Sequence, residues 1–258
     1  MCTWEEGRVA PIAIESSKDF VDYFIVVDKG SEDGTAKAIE ELAEKWGLDI
    51  EIHIRPDLFL YEARLFAMKR AQEDWILVQD GDEVFHTNGP NSVFRLRRLL
   101  KKFGHVTFCA PMTVLMYDFL HTMPRVHQPP HRFLYYNNGC IIEGKTNAAK
   151  KEDLPSIFGI ELHLKNVYKF NCNVKSDKRM FLRGFWGEWY KATNAHRRYA
   201  NLEDYVKAKL GLQDLTPLVE ECVRETTAGL IPYDQDRYGY YPKVIRNHIE
   251  KGLVRGYV

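Results

Sequence analysis

Short apolar runs alternate with helical stretches through the first third of the chain, and this alternation most constrains its fold. The apolar runs are short and rich in β-branched and aromatic residues, as buried strands are. The stretches between them have the length and the apolar spacing of helices. Strands that alternate with helices predict right-handed βαβ units around a mainly parallel sheet. The runs are Tyr23–Asp28, Leu48–Ile54 and Trp75–Val78, and the helical stretches are Ile39–Trp46 and Leu58–Ala71.

The third apolar run ends in an acidic turn, Asp80-Gly81-Asp82-Glu83. Open α/β sheets bind ligands at the carboxyl ends of their strands, and in extended backbone Asp80 and Asp82 share a face. Two carboxylates about 4 Å apart repel by roughly 4 kcal/mol at an effective dielectric constant near 20. Such a pair favours a hard cation, Mg²⁺ or Mn²⁺, that also holds phosphates. A solvated turn without a ligand is the alternative for this motif taken alone.

Two further charged residues belong to this edge of the predicted sheet. Asp28 ends another strand, and Arg64 lies on the helix between the two strands. Carboxylates accept hydrogen bonds from a nucleobase or from ribose hydroxyls, and Arg pairs with phosphates. Together with Asp80 and Asp82, these residues predict a site for a nucleoside diphosphate and a divalent ion, although each alone would more often be structural.

Composition argues against several functional classes. The 36 basic and 36 acidic residues give a formal net charge of +0, so no global field indicates nucleic-acid or membrane binding. No apolar run is long enough to span a bilayer, and the early charges of Glu5, Glu6 and Arg8 do not fit a signal peptide. The five cysteines form no Cys-x-x-Cys pair, which predicts free thiols in a reducing compartment such as the cytoplasm.

The pattern changes after Phe85. We expect one nucleotide-binding domain over residues 1–170 and a helical C-terminal extension over residues 171–258 that packs on it and contributes to acceptor binding. The proline- and histidine-rich residues 121–131 predict a loop that serves as a lid. The predicted elements are a helix at Ser92–Lys102, a strand at His105–Pro111, a β-hairpin of Arg132–Tyr136 with Cys140–Lys145, an extended stretch at Phe158–Phe170 and mostly helix from Ser176.

Several stretches resemble the motifs of one enzyme family. Val27–Thr35 is similar to the V-D-x-G-S-x-D-G-T stretch of family 2 glycosyltransferases with the GT-A fold. Cys2–Glu6, Glu62–Arg64 and Asp74–Glu83 resemble that family's first loop, its Ala-Arg segment and its Asp-x-Asp motif, in the same order and spacing. The resemblance implies a Rossmann-like α/β fold with a mixed, mainly parallel sheet flanked by helices. The family's first strand would precede Met1, which leads us to expect a natural start upstream.

The resemblance implies contacts with a nucleotide. Thr3 and Trp4 would border the nucleobase, with Trp4 stacking on it, and Glu6 would belong to the same nucleotide-sugar site. Asp28 would hydrogen-bond the base. Arg64 would lie near the base or the diphosphate.

The resemblance also implies metal-binding and catalytic residues. Asp82 would be the direct ligand of Mn²⁺ or Mg²⁺, and Asp80 would contact the ribose or the metal. His163 resembles the late histidine that some GT-A enzymes bring to the metal, and a purely structural histidine is the equal alternative. Glu143 and Asp118 both remain open as the base that deprotonates the acceptor, because the family's common Glu-Asp pair is not evident.

The sequence therefore predicts a metal-dependent glycosyltransferase that moves a sugar from a nucleoside-diphosphate sugar, foremost a UDP-sugar, to an acceptor hydroxyl with inversion. One alternative is a sugar nucleotidyltransferase, whose basic phosphate loop is not seen. Another is a nucleic-acid-binding module that uses the Tyr-rich, basic C-terminal part, or a glycosyltransferase that acts on a modified DNA base. The sequence specifies neither the acceptor, which could be a glycan, a lipid-linked sugar, a protein or DNA, nor the oligomeric state.

Overall fold

The computed structural model describes residues 1–104, 106–137, 160–189 and 198–256. Contacts divide the chain into two units. The first unit consists of Met1–Val174 and Pro232–Val258, and the second is Lys175–Ile231. The first unit ends at Val174 and resumes at Pro232, whereas the sequence predicts a single boundary after residue 170.

The described residues form short strands and helices of up to four turns. The strands are β1 (Cys2–Thr3), β2 (Phe24–Asp28), β3 (Ile50–Ile54), β4 (Trp75–Leu77), β5 (Glu83–Phe85), β6 (Val106–Met116), β7 (His121–Thr122), β8 (His127–Tyr136), β9 (Ile160–His163), β10 (Lys169–Asn173) and β11 (Ile231–Pro232). The helices are α1 (Ala10–Ser17), α2 (Thr35–Trp46), α3 (Leu60–Arg70), α4 (Arg97–Leu100), α5 (Asp177–Gly187), α6 (Leu202–Leu210), α7 (Thr216–Ala228), α8 (Gln235–Tyr238) and α9 (Lys243–Glu250), with a 3₁₀ helix at Val93–Leu96.

The first sheet is parallel and has the order β1-β2-β3. β2 is buried along its whole length, as expected for an apolar strand with a neighbour on each side. Its register places Thr3 opposite Asp28. α2 follows Gly34 and ends at Gly47, whose φ angles of 84° and 59° are ones that glycine adopts without strain. The predicted strand–helix–strand unit is confirmed.

The second sheet is mixed and has the order β4-β8-β6-β10-β5, with β9 also paired to β6. β8 runs antiparallel to both β4 and β6, whereas β9 and β10 run parallel to β6. Its core contains Phe85, Phe108 and Phe133, which are fully buried. A mixed sheet flanked by helices is the predicted α/β fold class.

The loop predicted for residues 121–131 is wrong in its second half, where β8 begins at His127. Pro129 and Pro130 lie inside this strand. They are tolerated because the pairing of β6 with β8 shifts register between Ala110 and Met112, where the ladder is already interrupted. Proline has no N–H to donate, so it fits a strand at such an irregularity.

Other elements differ from prediction in length. β6 continues to Met116, beyond the predicted end at Pro111. The predicted basic helix is a 3₁₀ turn followed by the single turn of α4. The extended stretch predicted before Phe170 contains β9 and the start of β10. The predicted hairpin strand Cys140–Lys145 lies outside the described residues.

A cavity of about 400 Å³ lies between β2 and β4. Its walls include Phe24 and Ile25 of β2 and Ile76 of β4. No described strand lies between these two edges, and the short β1 joins them only at their carboxyl ends, where Cys2 pairs with β2 and bridges to Asp80. The two sheets are therefore connected next to the acidic turn and separate away from it.

The C-terminal segment packs on the core of the first unit. Tyr233, Tyr241 and Ile245 are buried together with Ile12 of α1 and Phe170 of β10. Two tyrosines of the aromatic tail are therefore core residues, which removes them from any surface that could stack on nucleic-acid bases.

The second unit is built from helices. α5 packs against α6 and α7. The Ser176 side chain caps α5 by accepting the Arg179 N–H at 3.2 Å, and the Tyr205 hydroxyl donates to Glu188 Oε1 at 2.7 Å. Across both units, none of the described helices combines the length and apolar character that crossing a membrane requires.

Candidate functional site

The Asp80–Glu83 turn lies against the loop that follows β1. The Gly81 N–H donates to the Cys2 carbonyl oxygen at 2.9 Å. A Cβ atom on Gly81 would lie 2.7 Å from Thr3 Cγ2 and would overlap the Glu6 carboxylate. An alanine at this position would force the Thr3 and Glu6 side chains to shift, and the close approach brings Glu6 next to the predicted acidic motif.

Arg64 holds Asp80 through two hydrogen bonds. Its Nε donates to Oδ1 at 3.0 Å and its Nη2 donates to Oδ2, while only 8% of Arg64 is exposed. Burial alone would raise the pKa of Asp80, but the guanidinium charge and its hydrogen bonds outweigh burial and lower it. Arg64 is thus the ion-pair partner of Asp80.

Lys169 is a functional candidate that the sequence analysis missed. Its Nζ lies 2.6 Å from Glu83 Oε1, and both side chains are buried. Glu83 Oε2 also accepts the Asp80 N–H at 3.2 Å. Burial raises the pKa of Glu83, and the Lys169 charge opposes part of that rise. This second ion pair supports the acidic turn from the β10 side.

Asp82 is held by the same strand. Asn171 Nδ2 donates to Asp82 Oδ1 at 3.0 Å, and Asn173 donates in turn to Asn171. Lys169, Asn171 and Asn173 alternate with the apolar residues of β10 and therefore share a face. The strict polar–apolar alternation over residues 168–174 is the signal that would have predicted this polar row.

Asp28 organises the loop that follows β2. Its Oδ1 accepts the N–H groups of Gly30 and Ser31 at 2.9 and 2.7 Å, and its Oδ2 accepts the hydroxyls of Thr3 and Ser31 at 2.8 and 2.7 Å. Only 1% of Asp28 is exposed. A nucleobase would have to replace one of these bonds to reach the carboxylate.

Trp4 lies beside Lys29 at the same edge. Lys29 Nζ is 5.4 Å from the centroid of a Trp4 ring and 5.9 Å from that of Phe59, distances typical of cation–π contacts. Stacking of Trp4 on a nucleobase stays a prediction. No sequence pattern indicates Lys29 as the cation next to this ring.

The structure places His163 away from the acidic turn. Its register partner on β6 is Cys109, whereas Asn171, which contacts Asp82, pairs with Val114. Positions 109 and 114 are five residues apart, about 16 Å along a strand. His163 therefore lies with Cys109 rather than with Asp82.

Asp118 is the candidate base that lies among the described residues. Asp118 is buried, accepts the Leu120 N–H at 2.8 Å, and contacts His121 Nδ1 at 2.8 and 2.9 Å. Tyr117 before it has a φ of 74°, an uncommon value for a residue with a side chain. Glu143 lies outside the described residues.

The acidic turn offers carboxylate oxygens, the ligand type of a hard divalent cation, although among the described residues no three of them lie within 4.8 Å of one another as the side chains stand. Glu6, Asp80, Asp82 and Glu83 are four carboxylates, and Arg64 and Lys169 are two cations, so the six charged groups sum to −2. Oxygen ligands with a net charge of this sign are those that Mg²⁺ and Mn²⁺ prefer. The close approach of Glu6 to Gly81 places the Glu6 carboxylate beside the acidic turn.

A family comparison adds to the geometry. The sequence profile described as Glycosyl transferase family 2 matches residues 1–137, more than half of the chain. The chain belongs to glycosyl transferase family 2. The predicted family is thereby confirmed. The matched part of the chain includes the acidic turn, Arg64 and the loop after β1.

Solved structures resemble this family 2 chain at low sequence identity. S. aureus TarS is 15% identical with a TM-score of 0.47, over 66% of this chain and 35% of TarS. TarS 1-349 in complex with UDP is 14% identical with a TM-score of 0.46, over 97% and 90% of the two chains. The mannosyltransferase PcManGT from Pyrobaculum calidifontis, in complex with GDP-Man and Mn²⁺, is 17% identical with a TM-score of 0.35, over 45% and 34%. Comparison with curated protein sequences gave no match.

Proposed function

We propose that this chain transfers a sugar from a nucleoside-diphosphate sugar to an acceptor hydroxyl, with Mn²⁺ or Mg²⁺ bound at Asp82. The observation that carries the proposal is the gathering of Glu6, Asp80 and Asp82 around Gly81, where β1 meets the end of β4. These carboxylates alone would repel a diphosphate, and a divalent cation between them and the phosphates reverses that repulsion.

The protein's own side chains hold the ligands in place before a donor arrives. Asn171 orients Asp82, and Arg64 fixes both oxygens of Asp80. The ion pair of Lys169 with Glu83 supports the turn from the β10 side. When bound, the cation stabilises the negative charge that develops on the departing diphosphate.

The nucleobase binds on the Trp4 side of the same edge. Thr3 lies directly opposite Asp28 in the β1–β2 register, and Trp4 follows it. Asp28 keeps the Gly30–Ser31 loop closed through its hydrogen bonds, and a base N–H replaces the Ser31 hydroxyl on Asp28 when the donor binds. A UDP-sugar is the foremost donor to test.

The transfer itself is an inverting displacement. The acceptor oxygen attacks the anomeric carbon while the bond from that carbon to the diphosphate oxygen breaks. The acceptor proton passes to a carboxylate base, and the nucleoside diphosphate leaves with the bonding electrons. Asp118, held by His121 and the Leu120 N–H, is one candidate base, and Glu143 is the other.

Product analysis with the full chain tests the proposal. UDP-, GDP- and dTDP-sugars are incubated with the chain and Mn²⁺, and we expect free nucleoside diphosphate from at least one donor. Asp82→Asn should abolish that release. Asp236→Asn, on the exposed face of α8, is the matched control and should retain it. Formation of nucleoside triphosphate and sugar 1-phosphate when pyrophosphate is added would instead identify a sugar nucleotidyltransferase, and no turnover of any donor would reject the proposal.

A further inference from the structure

A second cluster of ligand-type side chains lies where β9 pairs with β6. The register places His163 beside Cys109. Glu161 precedes His163 by two residues and therefore points to the same face of β9. One ligand atom from each of the three side chains lies within 4.8 Å of the other two. The glycosyl transfer proposed above does not use this cluster.

The distances within the cluster fit a tetrahedral metal centre. Glu161 Oε2 lies 3.2 Å from His163 Nε2 and 3.9 Å from Cys109 Sγ. Metal bonds of about 2.0–2.3 Å at tetrahedral angles separate such ligand atoms by about 3.4–3.6 Å. These two spacings lie on either side of this range, and the Cys109 and His163 ligand atoms lie within 4.8 Å of each other, so the three side chains approach this geometry.

Arg132 fixes the orientation of the carboxylate. Its Nε donates to Glu161 Oε1 at 2.7 Å, and its Nη2 donates to the same oxygen. Because Arg132 occupies Oε1, the other oxygen faces the thiol and the imidazole. A ligand whose second atom is held by a hydrogen-bond donor is typical of protein metal sites. The single guanidinium charge is smaller than the two negative charges that a thiolate and a carboxylate supply.

Access and donor chemistry select the metal. Cys109 is only 2% exposed, whereas 58% of the His163 side chain is exposed, so the cluster opens to solvent on the histidine side. A sulfur, nitrogen and oxygen donor set suits Zn²⁺, which accepts all three ligand types. Mg²⁺ and Mn²⁺ prefer oxygen ligands.

We propose that Cys109, Glu161 and His163 form a Zn²⁺ site separate from the Asp82 site. On binding, the Cys109 thiol loses its proton to solvent and a sulfur–zinc bond forms, with no change in oxidation state. The fourth position is left to water or to another ligand from solution. This site goes beyond the proposed transfer and does not depend on it.

Cobalt substitution tests the site on the full chain. Co²⁺ is added to chelator-treated, reduced protein, and the near-ultraviolet absorption of a cobalt–thiolate bond is recorded. We expect this band to saturate and then to disappear on addition of Zn²⁺, which binds such ligand sets more tightly. His163→Ala should remove the band without endangering the fold, because the imidazole is largely exposed. Cys109→Ser should remove it as well.

Matched controls separate this site from other metal contacts. His53 Nε2 lies 3.1 Å from Glu51 Oε2 at the same two-residue spacing, and no cysteine belongs to a metal-ligand group with that pair among the described residues. His53→Ala, Cys222→Ser and Asp82→Asn should all keep the band. Absence of a thiolate band in the unmodified chain, or a band that survives His163→Ala, would overturn the proposal whatever the outcome at Asp82.

Discussion

Lys169→Met probes the buried support of the acidic turn. Lys169 Nζ and Glu83 Oε1 are 2.6 Å apart, and the two side chains are 2% and 9% exposed. At an effective dielectric constant near 20, charges at that distance attract by about 6 kcal/mol, which roughly offsets the several kcal/mol needed to desolvate each ion. Removing the lysine alone loses the attraction and leaves Glu83 buried. We therefore expect the free energy of unfolding to fall by about 3–5 kcal/mol.

The pH dependence of Lys169→Met gives a second readout. Burial raises the pKa of Glu83 above its ordinary value of 4.5, and Lys169 opposes that rise. A carboxyl with a raised folded-state pKa contributes stability below its unfolded pKa and loses it as pH rises through the folded value. Without Lys169 this pKa rises further, so the destabilisation should be smaller at about pH 5 than at about pH 8.

Urea unfolding followed by tryptophan fluorescence measures both effects. The double variant Lys169→Met/Glu83→Gln should recover most of the loss, since it removes both buried charges. Lys101→Met, at an exposed position, is the matched control and should change stability by less than about 0.5 kcal/mol. A loss below about 1 kcal/mol, or a double variant no more stable than Lys169→Met, would refute the reasoning.

Three further predictions concern the surroundings of the site. Gly81→Ala should displace the Glu6 carboxylate and weaken Mn²⁺ binding, measured by calorimetry. Unchanged Mn²⁺ affinity would contradict a role for the Glu6 carboxylate beside Gly81 in metal binding. Arg64 lowers the pKa of Asp80. The stabilisation that this ion pair gives the folded state is therefore present above the unfolded pKa near 3.8 and is lost as pH falls through the folded value. Arg64→Gln should move acid unfolding to higher pH, and an unmoved midpoint would count against the ion pair. Adding five β-branched residues before Met1 should fill the cavity between β2 and β4 and raise Tm by at least about 4 °C over a Gly-Ser control of equal length, and equal Tm values would show that the cavity accepts no strand.

The first half of the fold could be predicted because local signals agree with the topology. Phe24–Asp28 is apolar throughout, and Gly34 and Gly47 mark the limits of α2. The acidic motif could be located for the same reason, since it follows an apolar strand directly. The β8 strand could not, because two adjacent prolines indicate a loop unless the register shift of the neighbouring strand is known.

Long-range pairing explains what the sequence did not reveal at the site. Lys169 meets Glu83 only because β10 pairs with β5 across more than eighty residues of chain. The same holds for Cys109, whose contact with Glu161 depends on the pairing of β6 with β9. Neither contact leaves a spacing pattern in the sequence, whereas the polar–apolar alternation of β10 is visible there.

Calorimetric titration of a UDP-sugar into the full chain, with and without Mn²⁺, tests the central claim most directly. We predict binding that requires Mn²⁺, weakens at least about tenfold in Asp82→Asn, a change of about 1.4 kcal/mol, and is unchanged in Asp236→Asn. Donor binding that is equally strong without Mn²⁺ and in Asp82→Asn would contradict the assignment of the acidic turn as the metal and diphosphate site.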